Sequence, residues 1–378
     1  MPGSLVGESL QGRPQSSRAK STPNCRTLAG TGWRGALEDC ASIAVSDGSL
    51  AIVFVIGALV SLGSSWVLVS RIERVGARLG LSEALLGMLA ALAANAPEIT
   101  AAVTALAGHH SEIGTGVVIG SNVFNLAALL GVSAVIAGRT ALHRPVIVLE
   151  GAAALCVAAA CVAVVVGVLS AAVGLVSVLA VLIPYVLING MRHNRLERVG
   201  LPAPWVSWLR SAIVEEELEL ETAIHPRRGR RRDSVVAAFA VCVVVGASIA
   251  MEQSASILAA RHGIAEIVVG ALVLAAVTSL PNAVAAVYLA ARGRGAATLS
   301  IAMNSNAINV AVGLLVPAII VGLGAPSGQT TLVAVWYLGL TTFALAGAYL
   351  SSGLGRRYGA LIICAYLVFA GLVLASAR

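Results

Sequence analysis

A short group of polar residues occurs twice in this chain, each time within apolar sequence. The first copy holds Asn95 and Pro97-Glu98, and the second holds Thr278, Ser279 and Pro281-Asn282. An Asn lies 25 residues after each proline. It directly follows a Ser, and a second Asn lies one helical turn further on. These residues are Ser121, Asn122 and Asn125 in the first copy, and Ser305, Asn306 and Asn309 in the second. Polar side chains inside membrane-spanning helices are costly and functional by default. A duplicated polar site of this kind is typical of secondary transporters.

The residue types at these positions favour a hard cation. Pro97 and Pro281 cannot donate a backbone hydrogen bond, and their rings crowd the carbonyls of Ala93 and Val277. A carbonyl freed in this way inside lipid must find a partner, and a cation is one. Together with the Glu98 carboxylate, such oxygens are the ligands that Ca²⁺ and Na⁺ prefer, and no His/Cys cluster indicates a soft metal. We therefore predict a cation site with no resident cofactor, at which transported Ca²⁺ and Na⁺ bind transiently.

An asparagine within a membrane span has a second interpretation, which is hydrogen bonding between helices. For a single Asn this structural role is the simpler one. Four Asn at repeated positions, in register with two Pro-broken helices, favour a binding site.

The composition places these residues in a membrane. The chain is 58% hydrophobic and 11% charged, with a mean hydropathy of +0.90. This excludes a soluble globular protein and predicts an all-α polytopic membrane protein with ten transmembrane helices in two inverted five-helix repeats. The predicted spans, each long enough to cross a bilayer, are roughly 49–70, 80–107, 113–138, 145–166, 169–190, 234–259, 264–291, 296–323, 330–350 and 356–376.

The distribution of arginine predicts how the helix bundle is oriented in the membrane. Arginine is concentrated in the loops that follow spans 1, 3, 5, 7 and 9 and is nearly absent from the even-numbered loops. The positive-inside rule therefore predicts cytoplasmic odd loops and both termini outside. The net charge of +7 is then explained by topology and anionic lipid, not by nucleic acid. Abundant Ala, Val, Gly and Arg with a single lysine, Lys20, indicate a prokaryotic source and hence the plasma membrane. We expect the lipid bilayer and small inorganic cations as partners, and no obligate protein partner.

The chain divides into four segments. We predict a disordered tail at 1–47, a first five-helix repeat at 48–190, a cytoplasmic charged linker at 191–233 and a second repeat at 234–378. Because five is odd, the second repeat enters the membrane in the opposite direction. The repeats also match at their starts, where Glu83 and Glu266 each stand four residues before a glycine. Helix capping and ion entry are both compatible with these two acids.

The motifs resemble the alpha repeats of the calcium/cation antiporter superfamily, which includes the sodium/calcium exchangers. The resemblance covers about residues 49–376 and is strongest at 80–131 and 263–313. It implies a ten-helix fold in which Ca²⁺ and Na⁺ compete at the bilayer midplane and spans 1 and 6 slide past the rest. The implied central ligands are Glu98, Asn122, Asn282 and Asn306, and Thr278, Ser279 and Asn95 would serve flanking Na⁺ positions.

The chain departs from the family pattern in the second repeat. Asn282 stands where an acid normally follows the proline, Asn304 replaces a glycine, and Ala94 replaces a threonine in the first repeat. With Glu98 as the only central acid, a bound Ca²⁺ leaves a formal charge of +1, which weakens divalent affinity. Following the resemblance, Na⁺/Ca²⁺ exchange with a weakened Ca²⁺ site is the leading hypothesis.

Several alternatives stay open at this point. Ca²⁺/H⁺ exchange, monovalent cation exchange, an ion channel and a membrane protein without transport activity are each compatible with the same residues. A membrane enzyme is not predicted, because His109-His110 lacks a third ligand at a zinc-like spacing. Glu150 and Glu252, near the ends of spans, are expected to snorkel or to be paired.

Overall fold

The structure, a computed structural model, describes residues 45–79, 83–189, 202, 204–209, 211 and 229–377. Most of the predicted tail at 1–47 and of the predicted linker at 191–233 lies outside these residues. Twelve helices form the described chain, in this order: α1 (Asp47–Leu79), α2 (Glu83–Ala94), α3 (Ala96–Ala107), α4 (Ser111–Ala137), α5 (Arg144–Val165), α6 (Ala171–Asn189), α7 (Arg231–His262), α8 (Glu266–Thr278), α9 (Leu280–Ala291), α10 (Gly295–Val321), α11 (Gly328–Ser351) and α12 (Arg356–Ser376). Residues 204–209 add one short helical turn.

The all-α membrane fold predicted from the sequence is confirmed, but two of the spans are broken. Within the described residues, eight helices are long and apolar enough to cross a bilayer. The pair α8 and α9, bent by 49°, makes a ninth span. The predicted span 80–107 consists of α2 and α3, two helices of 12 residues each that meet at Asn95. Proline is the cause of both breaks, because it removes a donor from the helix ladder.

The loops fall into two sets, one at each end of the bundle. At one end Arg71 pairs with Asp233, and strand β1 (Arg139–Ala141) pairs antiparallel with strand β2 (Gly353–Gly355). At the other end Asp47 contacts Arg261, and the side chain of Gln329 donates to the carbonyl of Ser376. Odd-numbered loops therefore meet odd-numbered loops, and even meet even, as the predicted topology requires.

Three π-helical segments interrupt the long helices. Two of them occupy matching positions directly beyond the polar motif, at Leu126–Val132 in α4 and at Asn309–Leu315 in α10. The third, Val269–Leu274 in α8, has no counterpart in α2. Glu83 precedes Pro97 by 14 residues and Glu266 precedes Pro281 by 15. The wider π turn absorbs this additional residue and keeps the polar residues of the two halves in register.

The helices α1 and α7 form an antiparallel pair that is joined at its middle and at both ends. Ser61 Oγ and Ser248 Oγ lie 2.7 Å apart near the middle. One end is joined by Asp47 with Arg261, and the other by Asp233 with Arg71, each at 2.7 Å. The two helices are therefore held together as one unit.

Glycines allow α4 to approach α8 unusually closely. A Cβ at Gly120 would lie 2.4 Å from the Ala271 carbonyl oxygen, and one at Gly270 would lie 2.4 Å from the Ile113 carbonyl oxygen. Backbone atoms cannot move aside as a flexible side chain does. The position of α4, which carries half of the polar motif, therefore depends on the absence of a side chain at Gly120.

We expect Gly120→Ala to destabilise the protein by about 1–3 kcal/mol, as overpacking of a rigid contact does. Gly339→Ala is the matched control, because a Cβ there would meet nothing within 4 Å. Thermal unfolding of the two purified variants in detergent measures the difference. Equal melting temperatures would show that α4 and α8 are not in rigid contact.

Candidate functional site

The two helix breaks face each other in the middle of the bundle. The break residues Asn95 and Ser279 have nearly the same backbone angles, with φ of −85° and −83°. Across the gap, the amide nitrogen of Asn282 donates to the amide oxygen of Asn95 at 2.7 Å. In the reciprocal position, the Ser279 hydroxyl lies beside the Glu98 carboxylate. The contact does not meet hydrogen-bond geometry, so neither residue has a hydrogen-bond partner for these oxygens.

The four asparagines of α4 and α10 form a reciprocal network below the breaks. The amide nitrogens of Asn122 and Asn306 each donate to the backbone carbonyl of the other at 3.2 Å. Asn125 donates to the side-chain oxygen of Asn306 at 3.0 Å, and Asn309 donates to that of Asn122 at 3.2 Å. The network fixes all four side chains.

These contacts obey a two-fold relation. Each site residue of the first half has a counterpart 184 positions later, so that Asn122 corresponds to Asn306 and Glu98 to Asn282. Every hydrogen bond among the four asparagines has its counterpart under this shift. The contact between Glu98 and Ser279 likewise corresponds to the bond between Asn282 and Asn95. At the breaks the two halves differ, because Glu98 corresponds to Asn282 and Asn95 corresponds to Ser279.

The site is sealed from solvent, and its unpaired groups are all oxygens. All six amide nitrogens of the site asparagines donate hydrogen bonds. The buried side-chain atoms of the predicted site that lack a partner are seven oxygens: both carboxylate oxygens of Glu98, the hydroxyls of Ser121, Ser279 and Ser305, and the amide oxygens of Asn125 and Asn309. An unpaired buried acceptor costs about 1–3 kcal/mol, so this cluster of acceptors calls for a cation or a proton.

The structure therefore brings together the residues that the sequence singled out. The exposed fractions of the eleven predicted ligand residues do not exceed 3%. Thr278 is the one whose hydroxyl is directed to its own helix, where it donates to the Leu274 carbonyl at 2.9 Å. Glu98 is the only acid among these residues. Among the described residues no three His, Cys, Asp or Glu side chains are arranged to hold a metal ion.

Two supporting residues were missed by the sequence reasoning. Ser65 of α1 donates its hydroxyl to the carbonyl of Ala93 at 3.1 Å, which is the carbonyl that Pro97 leaves without its helical donor. Tyr337 of α11 is 1% exposed, and its hydroxyl lies beside the amide of Asn122. A serine and a tyrosine within long apolar spans gave no spacing signal that could have identified them.

The acids near the ends of the spans, which were expected to snorkel or to be paired, agree with that expectation only in part. Glu150 is paired, because it accepts a hydrogen bond from Tyr185. Glu252 of α7 is 2% exposed and its Oε1 has no partner, so the expected snorkelling is wrong. Glu266 lies in the first turn of α8, and its Oε1 is 2.7 Å from His110 Nδ1. The side chain of Glu83 lies outside the described part.

Two facing Pro-broken helices around a sealed set of oxygens, in a two-fold arrangement within a membrane bundle, define a secondary transporter. Comparison with known protein families gives a match to the family described as "Sodium/calcium exchanger protein", over residues 49–192 and 234–375. The chain belongs to this family of cation antiporters. The resemblance inferred from the two motifs is thereby confirmed.

Solved structures share the fold. The structure of native YfkE aligns with a TM-score of 0.59 at 16% identity, covering 90% of this chain and 96% of that one. The H⁺/Ca²⁺ exchanger CAX aligns at 0.63 and 16% identity, covering 90% and 89%. The sodium-calcium exchanger NCX_Mj, soaked with Na⁺ and Sr²⁺, aligns at 0.55 and 20% identity, covering 85% and 98%.

A curated relative matches over a shorter stretch. The antiporter CaxA of Alkalimonas amylolytica is 33% identical over 84 residues, which is 22% of this chain and 26% of that protein. The match thus spans about a quarter of the relative's length.

Proposed function

We propose that this protein exchanges Ca²⁺ for another cation across the membrane, and that the ions bind in turn between the two helix breaks. The observation that carries this proposal is the set of seven unpaired, buried oxygens, which includes both carboxylate oxygens of Glu98. Oxygen ligands in this number are what Ca²⁺ and Na⁺ require. The carbonyl ends of α2 and α8 add negative helix-dipole potential at the same place.

Na⁺ is the counter-ion that we place first. The site offers neutral hydroxyl and amide oxygens around one carboxylate, so Na⁺ bound beside Glu98 leaves the centre formally neutral. The shared fold with NCX_Mj, a sodium-calcium exchanger, supports this choice. Ca²⁺ in the same place leaves a formal charge of +1, because Asn282 supplies no second acid. We therefore expect a weak Ca²⁺ site whose transport moves net charge.

H⁺ is the second candidate counter-ion. Glu98 is fully buried and both of its carboxylate oxygens lack a partner, and a proton satisfies such a group as a cation does. The CAX structure, which shares the fold, is that of an H⁺/Ca²⁺ exchanger. In either case Glu98 is the group for which the two ions compete.

The orientation and surroundings of the protein belong to the same proposal. The arginine-rich odd loops face the cytoplasm of a prokaryotic cell, the termini lie outside, and the protein acts in the plasma membrane without an obligate protein partner. The predicted domain boundaries follow the same plan, with a cytoplasmic linker between two five-helix repeats.

Counterflow in reconstituted liposomes tests the function. We expect vesicles loaded with Na⁺ and diluted into Na⁺-free buffer to take up ⁴⁵Ca²⁺, and uptake to cease when the Na⁺ gradient is removed. A parallel set of vesicles with an acidic interior and no Na⁺ identifies H⁺ as the counter-ion instead. Uptake that needs neither gradient indicates a channel. No uptake under any gradient, by protein that unfolds cooperatively, would contradict Ca²⁺ exchange.

A further inference from the structure

The buried carboxyl group of Glu252 has no role in the site described above. It lies on α7, is 2% exposed, and its Oε1 has no hydrogen-bond partner. It follows Ser248, the residue that meets Ser61 near the middle of α1 and α7, by one helical turn. An unpaired acid inside a membrane helix indicates a functional group.

The charged neighbours of Glu252 lie at the end of the bundle where the even-numbered loops meet, here called the even-loop end. They are His110, just before α4, and Glu266, in the first turn of α8. His110 Nδ1 and Glu266 Oε1 are 2.7 Å apart, and the two side chains are 43% and 39% exposed. The pair is therefore open to solvent, whereas Glu252 behind it is buried.

The other charged side chains at the even-loop end do not act on Glu252. Asp47, at the start of α1, is paired with Arg261 and His262 of α7. Glu112 lies in the first turn of α4, but it is not among the charges that influence Glu252. Among the described residues, Glu266 is therefore the one second carboxylate that acts on Glu252.

Glu252 lies between the open pair and the helix breaks. Helix α3 begins at the first break, and the chain reaches His110 three residues after α3 ends. Helix α7, which carries Glu252, packs along α3 and against the start of α8. At a rise of 1.5 Å per residue, the 12 residues of α3 span about 18 Å. An ion that enters at the even-loop end has to cross about this distance to reach Glu98, and Glu252 is an acid along it.

We propose that Glu252 and Glu266 together form a second cation site, which holds Ca²⁺ on its way between the even-loop end and the helix breaks. This proposal rests on the exchange put forward under the proposed function. It gives Glu266 the ion-entry role that the sequence left open, and it gives the unpaired oxygen of Glu252 a partner.

Two carboxylates suit Ca²⁺ better than the single one at the breaks. With a neutral His110, Glu252 and Glu266 bring a formal charge of −2, so a bound Ca²⁺ is neutralised. Beside Glu98 the same ion leaves a formal charge of +1. Na⁺ at the second site leaves a negative charge uncompensated, so this site favours the divalent ion, for which oxygen is the preferred ligand atom.

The second site is open on one side, so a bound ion keeps part of its water. As they stand, the described side chains at this end do not bring three ligand groups together around a metal ion. Because the Glu266 side chain is 39% exposed, it can turn from His110 towards Glu252, and water completes the coordination shell. A dissociation constant on the order of 10⁻³ M is typical of weak Ca²⁺ sites of this kind.

Equilibrium binding of ⁴⁵Ca²⁺ tests the second site without relying on transport. In purified full-length Glu98→Gln protein, we expect about one Ca²⁺ per chain to bind at millimolar concentration. Adding Glu252→Gln should abolish this binding, and adding Glu252→Asp should keep the affinity within about threefold. Adding Glu112→Gln is the matched control, which should leave the binding unchanged. Equal binding with and without Glu252→Gln would overturn the proposal, as would no binding by Glu98→Gln protein that unfolds cooperatively.

Transport from the two sides tests the position of the second site. Right-side-out and everted vesicles from the same cells present opposite ends of the bundle to added ⁴⁵Ca²⁺. We expect Glu252→Gln to raise the half-saturating Ca²⁺ concentration at least about fivefold at the even-loop end and to leave it unchanged at the other end. A structural role would alter both ends, and an equal change at both would refute the entry role. If the unmodified protein exchanges no Ca²⁺ while binding that depends on Glu252 remains, the proposed function is refuted and the second site is supported.

Discussion

Glu98→Gln is expected to abolish Ca²⁺ exchange and leave the fold intact. Glu98 is the only acid of the site, is fully buried and has no hydrogen-bond partner. Two unit charges 4 Å apart attract by about 4 kcal/mol at the effective dielectric of a protein, and about 1.4 kcal/mol changes an affinity tenfold. After allowance for desolvation, we expect Ca²⁺ affinity to fall at least about a hundredfold.

The same substitution is expected to lower Ca²⁺ affinity without lowering the stability of the ion-free protein. Gln is uncharged and its amide can donate to the Ser279 hydroxyl, which has no partner in the site. We therefore expect Glu98→Gln to melt at the same or a higher temperature without ions, and to lose the rise in melting temperature that Ca²⁺ gives by binding the folded state. Glu112→Gln, outside the site in the first turn of α4, is the control. Exchange by Glu98→Gln at the normal rate would remove Glu98 from the site.

Asn282→Glu is expected to have the second largest effect, which is a gain of Ca²⁺ affinity. The substitution restores a carboxylate opposite Glu98, so a bound Ca²⁺ is formally neutralised. We expect the affinity for Ca²⁺ to rise about 10- to 100-fold, which corresponds to about 1.4–2.7 kcal/mol. Binding of ⁴⁵Ca²⁺ to purified protein at constant Na⁺ measures the change.

The matched control is Asn282→Gln, which has the length of Glu without the charge. Both variants lose the 2.7 Å hydrogen bond from Asn282 to Asn95. A decrease in the free energy of unfolding that the two variants share therefore measures the contribution of that bond. Without Ca²⁺ at neutral pH, Asn282→Glu should be the less stable of the two, because it adds a second buried carboxylate. A Ca²⁺ affinity that falls in Asn282→Glu would show that the ion does not lie between Glu98 and residue 282.

The location of the site was predictable because proline and asparagine are conspicuous in apolar sequence. Equal spacing from Pro97 to Asn122 and from Pro281 to Asn306 was sufficient to pair α2 and α3 with α8 and α9, and α4 with α10. The direction of the hydrogen bonds was not predictable. That Asn282 donates to Asn95 while Glu98 stays unpaired depends on which side chains meet across the two-fold axis.

Other features had no signal in a single sequence. Ser65 and Tyr337 act through tertiary contacts between helices that are distant along the chain, and hydroxyl residues are common in such spans. Glu252 was taken for a surface acid because sequence position alone does not reveal the rotation of a helix. The close approach of α4 to α8 could be recognised only from the backbone coordinates, because a glycine in a span is equally compatible with helix packing and with flexibility.

The π turn at Val269–Leu274 preserves the geometry of the site although the two halves differ in length. An insertion into an α-helix rotates everything beyond it by about 100°, because a turn holds 3.6 residues. Such a rotation in α8 would have carried Ser279 and Asn282 away from their partners. The additional residue is confined to one wide turn instead, so the site residues of the two halves stay in equivalent positions. A difference in length between the two halves is thus compatible with one shared site, because the helix widens where the additional residue lies.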